Sequence, residues 1–227
     1  MQKTLENDQT ITHSKIPLYS KKEEYFSSIS HMVGGGMGIL FFLISLFPII
    51  ANPAPNKWVG MSIYCFSIVA LYTMSALYHI LPPGTAKQVF RVFDHCTIFV
   101  LIAGCYTPFC LIPLWGTPLG WTVFGIEWGI AVLGITFNAV NMHWKAVKIL
   151  SMIGYVVMGW MIAPLVSVLL PILPPSCFWW LLAGGISYTV GIIFYVLGNK
   201  KPALHCIWHL FVLLGTLLQF VSIIQLL

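Results

Sequence analysis

Two histidines four residues apart, His205 and His209, stand at the head of the last apolar run, in "KKPALHCIWHL" (residues 200–210). Four residues is about one helical turn, so the two rings share a helix face and can close on a common partner. A metal ion is one such partner. The alternatives on this stretch alone are a pair of interfacial histidines solvating their own tips, or two core histidines with ordinary hydrogen bonds. The same spacing recurs in Ser75 and His79 of "SALYHILPP", and a carboxylate, Asp94, stands in "RVFDHCTIF". Three histidine ligands with an open fourth position are the usual arrangement of catalytic zinc, and a nearby Asp suits holding and deprotonating a water there. That chemistry requires three separate segments to meet, so the elements that carry them decide.

The chain has 227 residues, of which 59% are hydrophobic and only 7% charged, with a mean hydropathy of +0.90. Soluble domains carry about 25% charged residues, so this is a membrane protein. Apolar runs of about 20 residues or more, long enough to cross a bilayer, cover residues 29–50, 58–81, 92–113, 119–138, 147–170, 177–198 and 203–226. The runs are continuous rather than alternating, which predicts helices and not a barrel. The expected fold is an all-α bundle of seven transmembrane helices over residues 26–227, preceded by a short polar tail over residues 1–25. That tail has no short apolar core followed by a small-residue cleavage site, so it reads as retained rather than as a signal peptide. Six cysteines, Cys65, Cys96, Cys105, Cys110, Cys177 and Cys206, fall in or beside the runs with no C-x-x-C pair, and read as small buried hydrophobes.

Basic residues fix an orientation. Lys3, Lys15, Lys21 and Lys22 precede the first run, Lys87 and Arg91 lie in the second loop, Lys145 and Lys148 in the fourth, and Lys200 and Lys201 in the sixth. Only Lys57, in the first loop, falls on the other side. The positive-inside rule then predicts a cytoplasmic N-terminus and an external C-terminus. The net charge of +5 gathers at the inner leaflet, where anionic lipid is its natural partner and nucleic acid need not be invoked. On this orientation the second helix ends, and the third and seventh begin, at one face. At about 1.5 Å per residue, His79, Asp94 and His205 occupy one layer there, with Ser75 and His209 about 6 Å deeper. Three imidazoles, a carboxylate and a hydroxyl are thus expected to converge where ionisable groups are otherwise scarce and costly.

Ser75-x-x-x-His79 on the second helix, Phe93-Asp94-His95 on the third and His205-x-x-x-His209 on the seventh resemble the haemolysin III family, as does "EEYFSSISHMVGGGMG" at the start of the first. That family groups with the progestin and adiponectin receptors and is more distantly similar to alkaline ceramidases. The resemblance runs from about Glu24 to the end. It implies a zinc ion on His79, His205 and His209, with Asp94 bound through a water and Ser75 beside it. It also implies a cytoplasmic N-terminus and lipid-amide hydrolase chemistry. The short tail departs from the eukaryotic receptors, which points to a bacterial-type member of the cell inner (plasma) membrane.

The expected function is zinc-dependent hydrolysis of a lipid amide or ester, with Asp94 and Ser75 as the catalytic pair and membrane lipid as substrate or ligand. The alternative is a non-enzymatic sensor of membrane state with zinc as a staple. Cytolytic or transport activity comes third, since the helices lack the amphipathic, water-soluble surface a secreted toxin requires. Oligomeric state is not legible. His31, near the inner face, reads either as an interfacial histidine or as a hydrogen-bonding neighbour of the site. His95 points about 100° away from Asp94 on a helix and is left out of the metal set. His143, beside Lys145, reads as loop. Glu127, an acid deep in the fourth helix, reads either as a proton or substrate group or as a helix-to-helix hydrogen bond. The "GGGMG" of residues 34–38 lacks the Lys and Ser/Thr of a phosphate loop and reads as close helix packing.

Overall fold

The computed structural model describes residues 19–198 and 200–227; Lys3 and Lys15 of the charge count lie outside them. Every regular element among these residues is helical: α1 Lys21–Ala51, α2 Pro55–Ile80, α3 Thr85–Leu111, α4 Pro118–Asn141, α5 Lys145–Gly159, α6 Val166–Leu169, α7 Pro175–Gly198 and α8 Ala203–Ile223. Seven spans are long and apolar enough to cross a membrane, the fifth running from α5 through α6 (Lys145–Leu169). The seven runs expected from hydropathy are all present. Large hydrophobic side chains cover the outside, Phe47 at 83% exposure and Phe66 and Val140 at 69% among them. No soluble surface carries so much apolar area, so lipid must cover it.

Two boundaries differ from the hydropathy reading. Helix α1 begins at Lys21, eight residues before its apolar run, because Ser20 and Glu23 form a capping box: Glu23 N–H donates to Ser20 Oγ at 3.3 Å and Ser20 N–H to Glu23 Oε2 at 2.7 Å. Those reciprocal bonds satisfy donors that a helix start leaves open, and the polar turns "KKEEYFSS" become helix. The fifth span is broken. It leaves α-helix after Gly159 and re-forms through a 3₁₀ turn, Ala163–Leu165, where Pro164 cannot donate to the ladder. Tyr106 of α3 repairs the break, its hydroxyl donating to Gly159 O at 3.0 Å and accepting from Ile162 N–H at 2.9 Å. Such repair by a neighbour is what makes a broken helix tolerable in lipid.

Helices α1 and α2 approach closely at Gly34 and Gly38. A Cβ at Gly34 would lie 2.5 Å from the Tyr72 ring, and one at Gly38 2.8 Å from Ile68. The glycine run is therefore packing, as its composition suggested. In the centre, Thr216 Oγ1 of α8 bonds the hydroxyls of Tyr72 (α2) at 2.7 Å and Tyr188 (α7) at 2.8 Å. All six cysteines are free. Seven spans leave the chain ends on opposite faces of the bundle. One face collects Lys21, Lys22, Lys87, Arg91, Lys145, Lys148, Lys200 and Lys201, together with the end of α2 and the starts of α3 and α8.

Gly34→Ala should cost about 1–3 kcal/mol through overpacking against Tyr72. Gly36→Ala, where the added Cβ meets nothing within 4 Å, should be neutral or stabilising by up to about 1 kcal/mol from helix propensity. Thermal unfolding of the two variants in one detergent reads the difference; equal midpoints would contradict this account of the α1–α2 contact.

Candidate metal centre

The last turns of α2 carry Ser75 and His79 at i,i+4, both buried against the bundle interior. Helix α2 stops at Ile80 because Pro82 and Pro83 follow, which cannot continue a helix ladder. Helix α8 starts from Pro202 as its cap residue, which puts His205 in the first turn and His209 one turn further in. The sequence folds these two helix ends to one place. One ring nitrogen each of His79, His205 and His209 lies within 4.8 Å of the others. His205 and His209 face each other Nε2 to Nε2 at 3.1 Å, so the two layers expected from helical rise merge: an imidazole is long enough to reach across one turn.

Several of these nitrogens have nothing to bond. His79 Nε2 and His209 Nδ1 are buried without a hydrogen-bond partner, and so are both nitrogens of His31. His31 is no interfacial histidine. It is 3% exposed, its ring stacked on His209 at 3.8 Å and 26° and set edge-on to Tyr72 at 4.8 Å. Tyr19 covers the other side, stacked on His205 at 5.0 Å. Burial raises the Tyr19 phenol well above its ordinary range, with Tyr195 adding to the effect, so Tyr19 stays neutral.

Two residues that hydropathy and charge counting did not place in the site lie against it. Glu24 of α1 bonds His79 Nδ1 through Oε2 at 2.7 Å and pairs with Lys87 Nζ of α3 through Oε1 at 2.8 Å. Lys87, 2% exposed, also donates to the carbonyls of Tyr78, His79 and Leu81 at 2.9, 3.1 and 3.1 Å. The signal that could have found Glu24 is its i,i+7 spacing to His31, two turns along one helix face.

A cavity of about 170 Å³ runs from the histidines into the bundle. Ser75, Asp94, His205 and His209 line its near end, and Phe109, Leu181 and Gln219 its far end. Ser75 and Asp94 therefore share one space with His205 and His209. His95 lies outside the triad, as its position after Asp94 requires, but on the same wall: its Nδ1 bonds Arg91 O at 2.9 Å and stands 3.9 Å from Asp94 Oδ2, and Tyr195 OH is 3.5 Å from Nε2. His143 is exposed on the turn between α4 and α5. Glu127 is not among the residues lining this cavity. It is fully buried, and both carboxyl oxygens lack a hydrogen-bond partner among the described residues, so the helix-to-helix bond is not formed.

The donor set suits zinc. Imidazole nitrogen is a preferred ligand, with bonds of about 2.0–2.1 Å and tetrahedral geometry, which places neighbouring nitrogens about 3.4 Å apart; the triad needs only small ring adjustments to reach that. An unpartnered buried nitrogen such as His79 Nε2 is the atom an ion would satisfy.

Comparison with known proteins agrees with the residues. The family model described as "Haemolysin-III related" matches residues 19–220. The chain is 38% identical over 203 residues to Hemolysin-3 of Bacillus cereus, covering 89% of this chain and 91% of that one. It is 39% identical over 211 residues to the Hemolysin-3 homolog of Bacillus subtilis, covering 91% and 95%. A more distant likeness, 26% over 166 residues, covers 71% of this chain and 67% of the human monocyte to macrophage differentiation factor. With its seven spans and its two clustered helix ends, the chain belongs to the haemolysin-III-related family of multi-pass membrane proteins.

Proposed function

We propose that this protein is a zinc-dependent hydrolase of the cell inner membrane, acting on an amide or ester of a membrane lipid, with its N-terminus in the cytoplasm. One observation carries the reading: three imidazoles lie within 4.8 Å of one another, with unpaired buried nitrogens, and two of them, His205 and His209, line a largely apolar cavity whose wall also holds Asp94 and Ser75. His79, His205 and His209 hold the ion. Zinc there supplies an open coordination position that acidifies water and polarises a carbonyl.

The chain's own residues do the rest. Asp94 Oδ accepts the proton of the attacking water and returns it to the departing amine or alcohol as the C–N or C–O bond breaks. Ser75, one turn from His79 on the same face, donates a hydrogen bond to the carbonyl oxygen as charge builds there. The apolar wall toward Phe109 and Leu181 takes the acyl chain and excludes water. The basic face meets anionic lipid of the inner leaflet. A zinc staple tying α2 to α8 in a membrane sensor is the second reading, favoured by the grouping of His79 of α2 with His205 and His209 of α8 within 4.8 Å. The cytolytic property in the Bacillus cereus relative's name belongs to that protein; the lipid-covered exterior here is that of a resident bundle.

The purified protein should carry about one zinc per chain, and His79→Ala, His205→Ala and His209→Ala should each lose most of it, since only two protein donors remain. Elemental analysis checks this, and full zinc in all three variants would remove the site. A reporter fused after Leu227 should read as external and one inserted at Lys145 as cytoplasmic; the reverse pattern would put the centre at the outer leaflet. Asp94→Asn separates enzyme from staple. Its amide still accepts a hydrogen bond but cannot take a proton, so zinc content and melting temperature should stay near wild type. Hydrolysis, followed by comparing the lipids of membranes with and without the protein, should fall at least about 100-fold. A folded, zinc-loaded Asp94→Asn protein that leaves the lipid profile of wild type would overturn the mechanism and leave the staple.

A further inference from the structure

Glu24 stands on a helix that supplies no member of the triad, yet its carboxylate is committed on both oxygens: one to His79 Nδ1 at 2.7 Å, the other to Lys87 Nζ at 2.8 Å. A carboxylate can only accept. The proton of His79 therefore sits on Nδ1, and the lone pair is left on Nε2, the buried atom with no other partner and one of only two nitrogens the ring can offer to an ion. A carboxylate behind a ligand histidine also orients the ring and raises its basicity.

Lys87 explains why the carboxylate is where it is. The last carbonyls of a helix have no intrahelical donor and carry the negative end of its dipole. At the end of α2 the next residues include Pro82 and Pro83, which have no N–H to give. Lys87 reaches across from the first turn of α3 and donates to Tyr78 O, His79 O and Leu81 O, with its chain over the Tyr78 ring at 4.9 Å. An ammonium 2% exposed would be costly without a counter-charge, and Glu24 supplies it. The order of dependence runs from the end of α2 to Lys87, from Lys87 to Glu24, and from Glu24 back to the ring of His79.

We infer that Glu24 and Lys87 are positioning residues of the metal centre: Lys87, anchored on the end of α2, holds Glu24 so that His79 presents Nε2 to the ion. This rests on the proposed reading of the triad as a zinc site. It makes metal affinity depend on the seating of α1, through a side chain that never touches the ion. A salt bridge that merely joins α1 to α3 would affect stability with or without metal; a positioning pair affects the metal more than the apoprotein.

The test uses the full-length protein in detergent, with zinc affinity measured by competition against a fluorescent chelator and apo melting temperature measured alongside. Glu24→Gln keeps the shape but removes the charge, and should weaken zinc about 10-fold; Glu24→Ala should weaken it toward 100-fold, and Lys87→Met about 10-fold. The visible spectrum of the cobalt-substituted protein should lose intensity in Glu24→Ala as the ligand field departs from tetrahedral. Apo Glu24→Gln should melt within a few degrees of wild type. Wild-type zinc affinity in both Glu24 variants, beside a wild-type protein that binds one zinc, would overturn the positioning role and leave the zinc reading standing; a wild type that binds none would overturn the zinc reading itself. A metal-free measurement keeps the two apart if Glu24→Ala fails to fold. Nitrogen-15 NMR of histidine-labelled apoprotein, with His79 assigned by difference from His79→Gln, should show the Nδ1–H tautomer in wild type and a mixture in Glu24→Gln. An Nε2–H tautomer in the wild type would refute the arrangement.

Discussion

Hydrocarbon offers no hydrogen bonds, and an unpaired polar group buried in it costs about 1–3 kcal/mol. Most of this bundle obeys that constraint locally. Ser45, Ser67 and Thr107 return their hydroxyls to carbonyls three or four residues back, at Phe42, Tyr64 and Ala103, and Tyr72 and Tyr188 share Thr216. Unsatisfied buried side-chain atoms are few, and most of them lie together: both nitrogens of His31, His79 Nε2 and His209 Nδ1. Among the described residues, the chain accepts that penalty in this one cluster and otherwise only at Glu127 and Gln219. A bound ion with its water is the kind of partner that returns such a cost.

The depth of that cluster follows from chain punctuation. Pro82 ends the second span just after His79, and Pro202 starts the last just before His205, so the histidine-bearing turns fall at the ends of their spans rather than mid-span. From that end the cavity leads into apolar wall. The proposed hydrolysis of a lipid would need both a wet end and an apolar wall within one side chain's reach. Tyr19, just ahead of the first helix and stacked across His205, and Glu24 of that helix close the same end, so three separately encoded helix termini must all form before the histidines are fixed.

How much of this was legible in the sequence depends on the length scale of each signal. Seven apolar runs of about 20 residues can be read with little ambiguity, and i,i+4 spacing put Ser75 with His79 and His205 with His209 on shared faces before any coordinates. Basic residues gathered α2, α3 and α8 ends on one face. The start of α1 was not legible by hydropathy, because a capping box stabilises polar turns that hydropathy reads as tail. That hid Glu24. Lys87 was hidden for a different reason: a charge count sees a lysine at a loop, whereas helix-end carbonyls can draw an ammonium to 2% exposure. The break after Gly159 depended on Tyr106, 53 residues away, and no local pattern carries that. Between the two readings of His31 the sequence could not choose, because depth along a helix says nothing about which way a ring turns; it is buried and stacked on His209, without a hydrogen bond from either nitrogen.

On the proposed zinc reading, the surroundings of the triad bear on whether the centre acts or merely holds. A structural zinc closes its tetrahedron with four protein ligands, and the nearest further imidazole, His31, is not one of the grouped donors. It lies face against face with His209, which turns its in-plane lone pairs past that ring instead of toward a shared ion. The cavity lies beside His205 and His209, with Ser75 and Asp94 in its wall. A staple would gain nothing from a hydroxyl and a carboxylate on that side and would lose stability by leaving a buried space beside them. On the proposed reading, the hydroxyl, the carboxylate and the apolar wall beside His205 and His209 bear on chemistry more than the three histidines do, because a staple has no use for them.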